Sequence, residues 1–146
     1  MDEPEEITED KCRELLHAGV VGRLAFVVAG RPHVVVVNHT VVGDAVVVRT
    51  APYSVLGRSG PGAHAAFEVD HLDYEDHTGW SVVAHGVLEH VDEVAELADA
   101  TDFWDPRPWA GGSRLLYLRL PWRELTGRRL GHGWTRRNEV PVRRQG

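Results

Sequence analysis

The sequence predicts a mainly β domain, a small antiparallel split barrel with short flanking helices, and three observations carry that prediction. Its apolar residues gather in short β-branched runs, above all Val34 to Val37 and Ala45 to Val48, which suit a pleated, packed strand. Turn formers punctuate the runs at Gly30-Arg31-Pro32, at Gly43-Asp44 and through Gly57 to Gly62. Strands and helices do not alternate regularly, so about six or seven antiparallel strands are expected rather than a parallel sheet with crossover helices.

Taken in order, Thr8 caps a helix that runs to His17 or Ala18, with Ile7 as its staple residue and Glu9 and Asp10 favourable in the first turn. Gly19 closes it, and Cys12, Leu15 and Leu16 share one face, the mark of a helix lying on a core. A strand over Arg23 to Ala29 turns through Gly30-Arg31-Pro32 into the valine hairpin, which pivots on Gly43-Asp44. Pro52 ends the second valine strand because its ring removes a ladder N–H, and Ser54 to Ser59 follows as one or two helical turns. Ala65 to Val69 is a strand, Asp70 to Thr78 a polar loop, and Trp80 to Val91 a long strand that bends at Gly86. Asp92 caps a second helix to about Ala100, Phe103 to Gly112 is irregular, and Leu115 to Leu120 and Glu124 to Leu130 supply the last strands.

A chain of 146 residues is most simply one domain that buries its own core without staples. A single cysteine, Cys12, excludes an intrachain disulfide and suits a reducing cytoplasm. The opening MDEPEEITED is acidic and has no hydrophobic run, so neither a signal peptide nor a membrane anchor is expected. Net charge is -6, with arginines crowded between Arg128 and Arg144. That overall acidity argues against dedicated nucleic-acid binding and leaves the basic end as a solvated or partner-contacting tail. The expected organisation is an acidic tail over 1–8, a barrel domain over 9–131 and a basic tail over 132–146.

Neither valine run alternates with polar residues, so both faces of these strands should be covered by protein. The polar residues that interrupt them, Asn38 and His39 in one strand and Arg49 and Thr50 in the other, are therefore candidates for a site. Arg49, Thr50 and Ser54 form a candidate anion site, because an arginine fork and hydroxyls at a strand end meet the start of a helix. The nine histidines lack compact ligand spacing, so no metal site is expected. Trp104, Trp109, Trp122 and Trp134 fall in or near the irregular C-terminal third, where core and dimer packing is their expected role, one of them being available to stack on a cofactor. Hydrolytic chemistry has no support, since neither a Ser/His/Asp nor a Cys/His arrangement is visible.

The motif order GRLAFVVAGRPHVVVVNHTVVGDAVVVRTAP, AAFEVDHLD, TGWSVVAHGVLEHV and ELTGRR resembles the FMN-binding split-barrel proteins related to pyridoxamine 5'-phosphate oxidase, over about residues 9–131. That resemblance implies a six-stranded split barrel, a homodimer, and a flavin in a cleft shared by the subunits. It places Arg49, Thr50 and Ser54 at the phosphate, and Val36, Val37 and Asn38 beside the isoalloxazine ring. Trp80 and Ser81 match a segment near the cofactor, while His39 either meets a flavin carbonyl or substrate or packs against the other subunit. Related sequences commonly carry a glycine, a small hydroxyl residue and a lysine after Ala-Pro, where this chain has Tyr53, Ser54 and Val55; Val36 likewise stands where proline is common. Loss of one charge-assisted contact corresponds to about 10- to 100-fold in affinity. The implied function is FMN-dependent oxidation or reduction of a small organic substrate, with no side chain required as general acid or base. A deazaflavin-dependent reductase, or a non-catalytic flavin carrier or sensor, is the alternative.

Overall fold

The computed structural model describes residues 5–92 and 116–131. Within them lie strands β1 (Glu5–Glu6), β2 (Val21–Val28), β3 (Arg31–Val42), β4 (Ala45–Thr50), β5 (His64–Asp73), β6 (Thr78–Val87), β7 (Glu89–His90) and β8 (Leu116–Leu130), with helices α1 (Glu9–Ala18) and α2 (Val55–Ser59). β8, β4, β3, β2, β5 and β6 follow one another in hydrogen-bonded order, and β6 returns to β8. Six antiparallel strands therefore close on themselves, which bears out the expected class.

Short turns set the register. Ala29-Gly30 joins Val28 to its partner Arg31, and Gly43-Asp44 joins Val42 to Ala45, so both are two-residue hairpins. The first turn comes earlier than the Gly30-Arg31-Pro32 expectation, and Arg31 and Pro32 are already inside β3. The polar stretch expected as a loop over Asp70 to Thr78 is mostly sheet, because pairing continues to Asp73↔Thr78 and only residues 74–77 turn. There the Asp73 carboxylate accepts N–H bonds from Glu75 and Asp76, both 3.0 Å.

The two strands expected near the C-terminal end of the barrel are one. β8 pairs with β4 from Leu116 to Pro121 and with β6 from Trp122 to Leu130, turning the corner between these residues. Gly86 makes that corner possible: the register shifts beside it, and a Cβ there would lie 2.2 Å from the Pro121 carbonyl oxygen. The long strand expected over Trp80 to Val91 breaks accordingly into β6 and β7. Glu5 and Glu6, expected in the tail, pair with Arg129 and Arg128 at the edge of β8.

The helix α1 matches its expectation closely. Thr8 is the N-cap, its hydroxyl accepting from Lys11 N–H at 3.3 Å, and Cys12, Leu15 and Leu16 are buried against the barrel. They join Leu24, Phe26, Phe67, Trp80, Val82, Leu118 and Leu120 in one continuous core. Each large side chain withdrawn from water there contributes about 1.5–3 kcal/mol before the entropy of ordering it. The helix expected from Asp92 to about Ala100, together with Trp104, Trp109, Trp134 and the basic tail, lies outside the described residues.

Candidate functional site

β3 changes partner midway along its length. Arg31 to Asn38 pair with β2, whereas His39 to Val42 pair with β4. Beyond the His39↔Val48 pair the neighbours part, and Arg49 and Thr50 continue only against Tyr117 and Leu116 of β8. This is the split of the barrel: over residues 31–38, the edge of β3 that would face β4 has no strand beside it among the described residues.

Backbone alternation decides which groups line that edge. The His39 N–H donates to the Val20 carbonyl at 2.9 Å, on the β2 side. Successive residues aim their N–H and C=O to opposite sides, so those of Val34, Val36 and Asn38 face the split. Pro32 stands in the same row, where its missing N–H is harmless.

A cleft of about 410 Å³ fills the split. Val34 to Asn38 form one wall; Arg49, Thr50, Ser54 and Val55 form the other. Phe26 and His33, stacked with ring centroids 5.1 Å apart and planes 14° from parallel, also line it. Arg49 is held by its cross-strand neighbour, its guanidinium carbon lying 5.6 Å from the centre of the Tyr117 ring.

The second wall is set by a turn. Ser54 N–H donates to the Ala51 carbonyl at 3.1 Å, which places Pro52 and Tyr53 at the corners and delivers Ser54 as the cap of α2. The Ser54 hydroxyl donates to the Ala51 carbonyl at 2.7 Å and accepts from Gly57 N–H at 3.0 Å. Its proton is thus committed, so the 3.0 Å contact with Thr50 Oγ1 is a bond that Thr50 donates. Gly57 permits this close fold, since a Cβ there would sit 2.2 Å from the Ala51 carbonyl oxygen.

Six of the nine residues expected at the site converge on this cleft: Val36, Val37, Asn38, Arg49, Thr50 and Ser54. The other three lie elsewhere. His39 follows Asn38 and so points to the opposite face, fully buried against Phe67 with ring centroids 4.6 Å apart. Trp80 is fully buried in the barrel core, and Ser81 sits on β6 between Asp70 and Arg128. Phe26, His33 and Val55 were not singled out as site residues. His33 could have been found by parity, because it shares the face of Val35 and Val37 at the head of the valine run.

Coverage of both faces, expected for both valine runs, is met in β4, where Val46, Val47 and Val48 are all buried, but for Val34 to Val37 of β3 on one face only within the single chain. Val34 and Val36 are 66% and 68% exposed. Beside them, Val36 pairs with Arg23 and Arg23 with Glu68 in one row across the sheet. The Arg23 guanidinium donates to Glu68 at 3.0 Å and also to Asp70. Burial, then the neighbouring Asp70, push the Glu68 carboxyl up to about 7 despite that arginine.

The sequence pattern of the pyridoxamine 5'-phosphate oxidase family matches residues 8–129. The chain belongs to the pyridoxamine 5'-phosphate oxidase family. An uncharacterized protein of Mycobacterium tuberculosis is 38% identical over 98 residues, a match covering 64% of each of the two chains. A solved structure from Corynebacterium glutamicum, of a candidate pyridoxamine 5'-phosphate oxidase, has a TM-score of 0.72 at 28% identity, covering 92% of this chain and 99% of that one. The FAD-binding protein of Mycobacterium smegmatis has a TM-score of 0.67 at 25% identity, covering 87% and 98%. Among the described residues of this pyridoxamine 5'-phosphate oxidase family chain, no helix is long and apolar enough to cross a membrane, and no cluster of three or more His, Cys, Asp or Glu could hold a metal ion.

Proposed function

We propose that this chain is a flavin-dependent oxidoreductase, binding a flavin nucleotide in the split between β3 and α2 and acting on a small organic substrate. The open edge of β3 carries this reading. Alternating N–H and C=O groups of Val34, Val36 and Asn38 suit the polar edge of an isoalloxazine ring, and apolar valines flank it. Arg49 supplies a guanidinium fork of the shape that phosphate prefers, at the far wall. FMN, which the motif order implies, and FAD, named for the mycobacterial relative, share the ring and the first phosphate, and the cleft suits that shared half.

A flavin bound there supplies hydride transfer. The chain's own residues would bind the phosphate, orient the ring along the β3 edge and keep water from one of its faces. A second copy of the chain, covering Val34 and Val36, would complete the wall; each valine so buried contributes about 1.5–3 kcal/mol. A homodimer in the cytoplasm, with the single Cys12 buried as a free thiol, is the setting this reading implies. A deazaflavin-dependent reductase using the same cleft is the second reading, favoured by Val55 on the phosphate-side wall in place of a cation.

The test is a tryptophan-fluorescence titration of the purified chain with FMN, FAD and a deazaflavin coenzyme in parallel, with size-exclusion chromatography alongside. Saturable quenching by one of them, from a dimeric species, is expected. A chain that binds none of the three would sink the reading and leave the barrel as a structural or interaction module.

A further inference from the structure

We propose that the outer sheet face bearing Val34 and Val36 receives a second copy of this chain, and that a proton on the Glu68 and Asp70 carboxylate pair within that face governs the docking. The inference rests on the reading above through that second copy, the one that completes the cleft wall.

Strand register builds the face. Pro32, Val34 and Val36 of β3 lie beside Val27, Ala25 and Arg23 of β2, and Arg23 lies beside Glu68 of β5. Val27 is exposed, as the two valines of β3 are. A contiguous apolar block of this kind on a sheet marks a place of association. Neighbouring strands are about 4.8 Å apart, so a body seated on Val36 has Arg23 about 5 Å and Glu68 about 10 Å to its side. A small hollow of about 140 Å³, lined by Val36, Arg23 and Asp70 among others, joins the apolar block to the charged one. A second copy suits this face because the patch carries both signs beside its valines. Across a two-fold axis, the guanidinium of each copy can meet the carboxylates of the other.

The charge balance inside the face sets the condition for docking. Arg23 is the ion-pair partner of both Glu68, at 3.0 Å, and Asp70, and both carboxylates are already partly buried. One guanidinium between two carboxylates leaves each copy with one negative charge in excess, so two ionised faces brought together repel and bury charge without a partner. One proton per copy removes the excess, and Glu68 is its seat, since burial and then Asp70 push this carboxyl up to about 7. The remaining titratable and charged groups of the face stand off. His85 of β6 is diagonal to Glu68, through the pairs Ala66↔His85 and Glu68↔Val83, and Glu124 and Arg128 of β8 lie a strand beyond. Docking removes further water from Glu68, so the dimer holds the proton to higher pH than the single chain, and association tightens as pH falls from 8 to 6.

The experiment measures the dimer dissociation constant of the purified full chain at pH 6, 7 and 8 by fluorescence-detected sedimentation across a dilution series, with flavin binding followed in parallel. The constant is expected to rise about 10- to 100-fold from pH 6 to pH 8, as each subunit loses its proton. Glu68→Gln should hold it at the low-pH value throughout, His85→Gln should leave the slope intact, and Val36→Glu, at an exposed position, should give a monomer at every pH. An unmodified chain that associates equally at pH 6 and 8, or is monomeric at both, overturns the inference. So does a Glu68→Gln chain that keeps the slope, a His85→Gln chain that loses it, or a Val36→Glu chain that still dimerises. Flavin bound by the chain in any of those cases leaves the flavin reading standing. A proton-linked dimer that binds none of FMN, FAD or the deazaflavin removes the flavin reading and leaves this inference in place.

Discussion

The imidazole of His39, on β3, and the carbonyl of Leu16, in the last turn of α1, are joined by a hydrogen bond with Nε2 3.0 Å from the oxygen. A carbonyl only accepts, so Nε2 carries the proton, and the bond satisfies one of the orphan acceptors at the helix end. His39 thus ties the helix to the strand at the point where the barrel splits. His39→Ala should lower unfolding stability by about 2–4 kcal/mol, from the cavity beside Phe67 and the lost bond together. Urea denaturation followed by tryptophan fluorescence measures it, and an unshifted midpoint would contradict the role.

Ala29 is strained. It sits at φ 51° in the turn before Gly30, in a region that disfavours residues with a Cβ but tolerates asparagine. Since two-residue hairpins of this kind favour Asn-Gly, Ala29→Asn should stabilise the fold by about 0.5–1 kcal/mol. A thermal midpoint that falls rather than rises would refute the strain argument.

Glu68 should make stability depend on pH. Its carboxyl is pushed up to about 7 in the folded chain from an ordinary value of 4.5, chiefly by burial and then by Asp70. The folded state therefore holds this proton to higher pH than the unfolded chain does, and the associated stability is complete below about pH 4.5 and lost as pH rises to 7. Glu68→Gln should flatten this descent. Denaturation midpoints collected from pH 5 to 8 decide it, a slope equal to that of the unmodified chain being the adverse result.

Arg49→Ala should weaken binding of phosphate-bearing flavins about 10- to 100-fold while leaving riboflavin unaffected. Arg49→Lys should recover only part of the loss, because an ammonium lacks the guanidinium fork and the flat face that lies over Tyr117. Full FMN and FAD affinity in the alanine variant would remove Arg49 from the phosphate position.

Local signals carried much of this fold. Thr8, the apolar face of Cys12, Leu15 and Leu16, and the Gly43-Asp44 turn were legible because caps, periodicity and turn chemistry act over a few residues. The unbroken β8 was not, since Pro121-Trp122 reads as punctuation until the opposing Gly86 is seen to accommodate the corner. At the site, Arg49, Thr50 and Ser54 stood out as polar residues after a valine run, and Asn38 as its interruption. His39 shows where such reasoning stops: polarity marks a residue as special, while the face it occupies depends on a one-residue step in parity. His33 joins the cleft only because β3 and β4 diverge after His39 and Val48, a long-range event with no local marker.

The reach of β8 sets the order in which the molecule can assemble. This strand pairs with β1, β4, β6 and β7, and it is the last of the described strands along the chain. Until it has been synthesised, β4 and β6 are both bare edges of an unclosed sheet, so closure is a late, long-range step that sets the folding rate and exposes the nascent chain to edge pairing. A ribosome stalled before Leu116 would hold a sheet in which β4 and β6 invite pairing with other chains, and chaperone dependence should end abruptly once residues through Leu130 have left the exit tunnel.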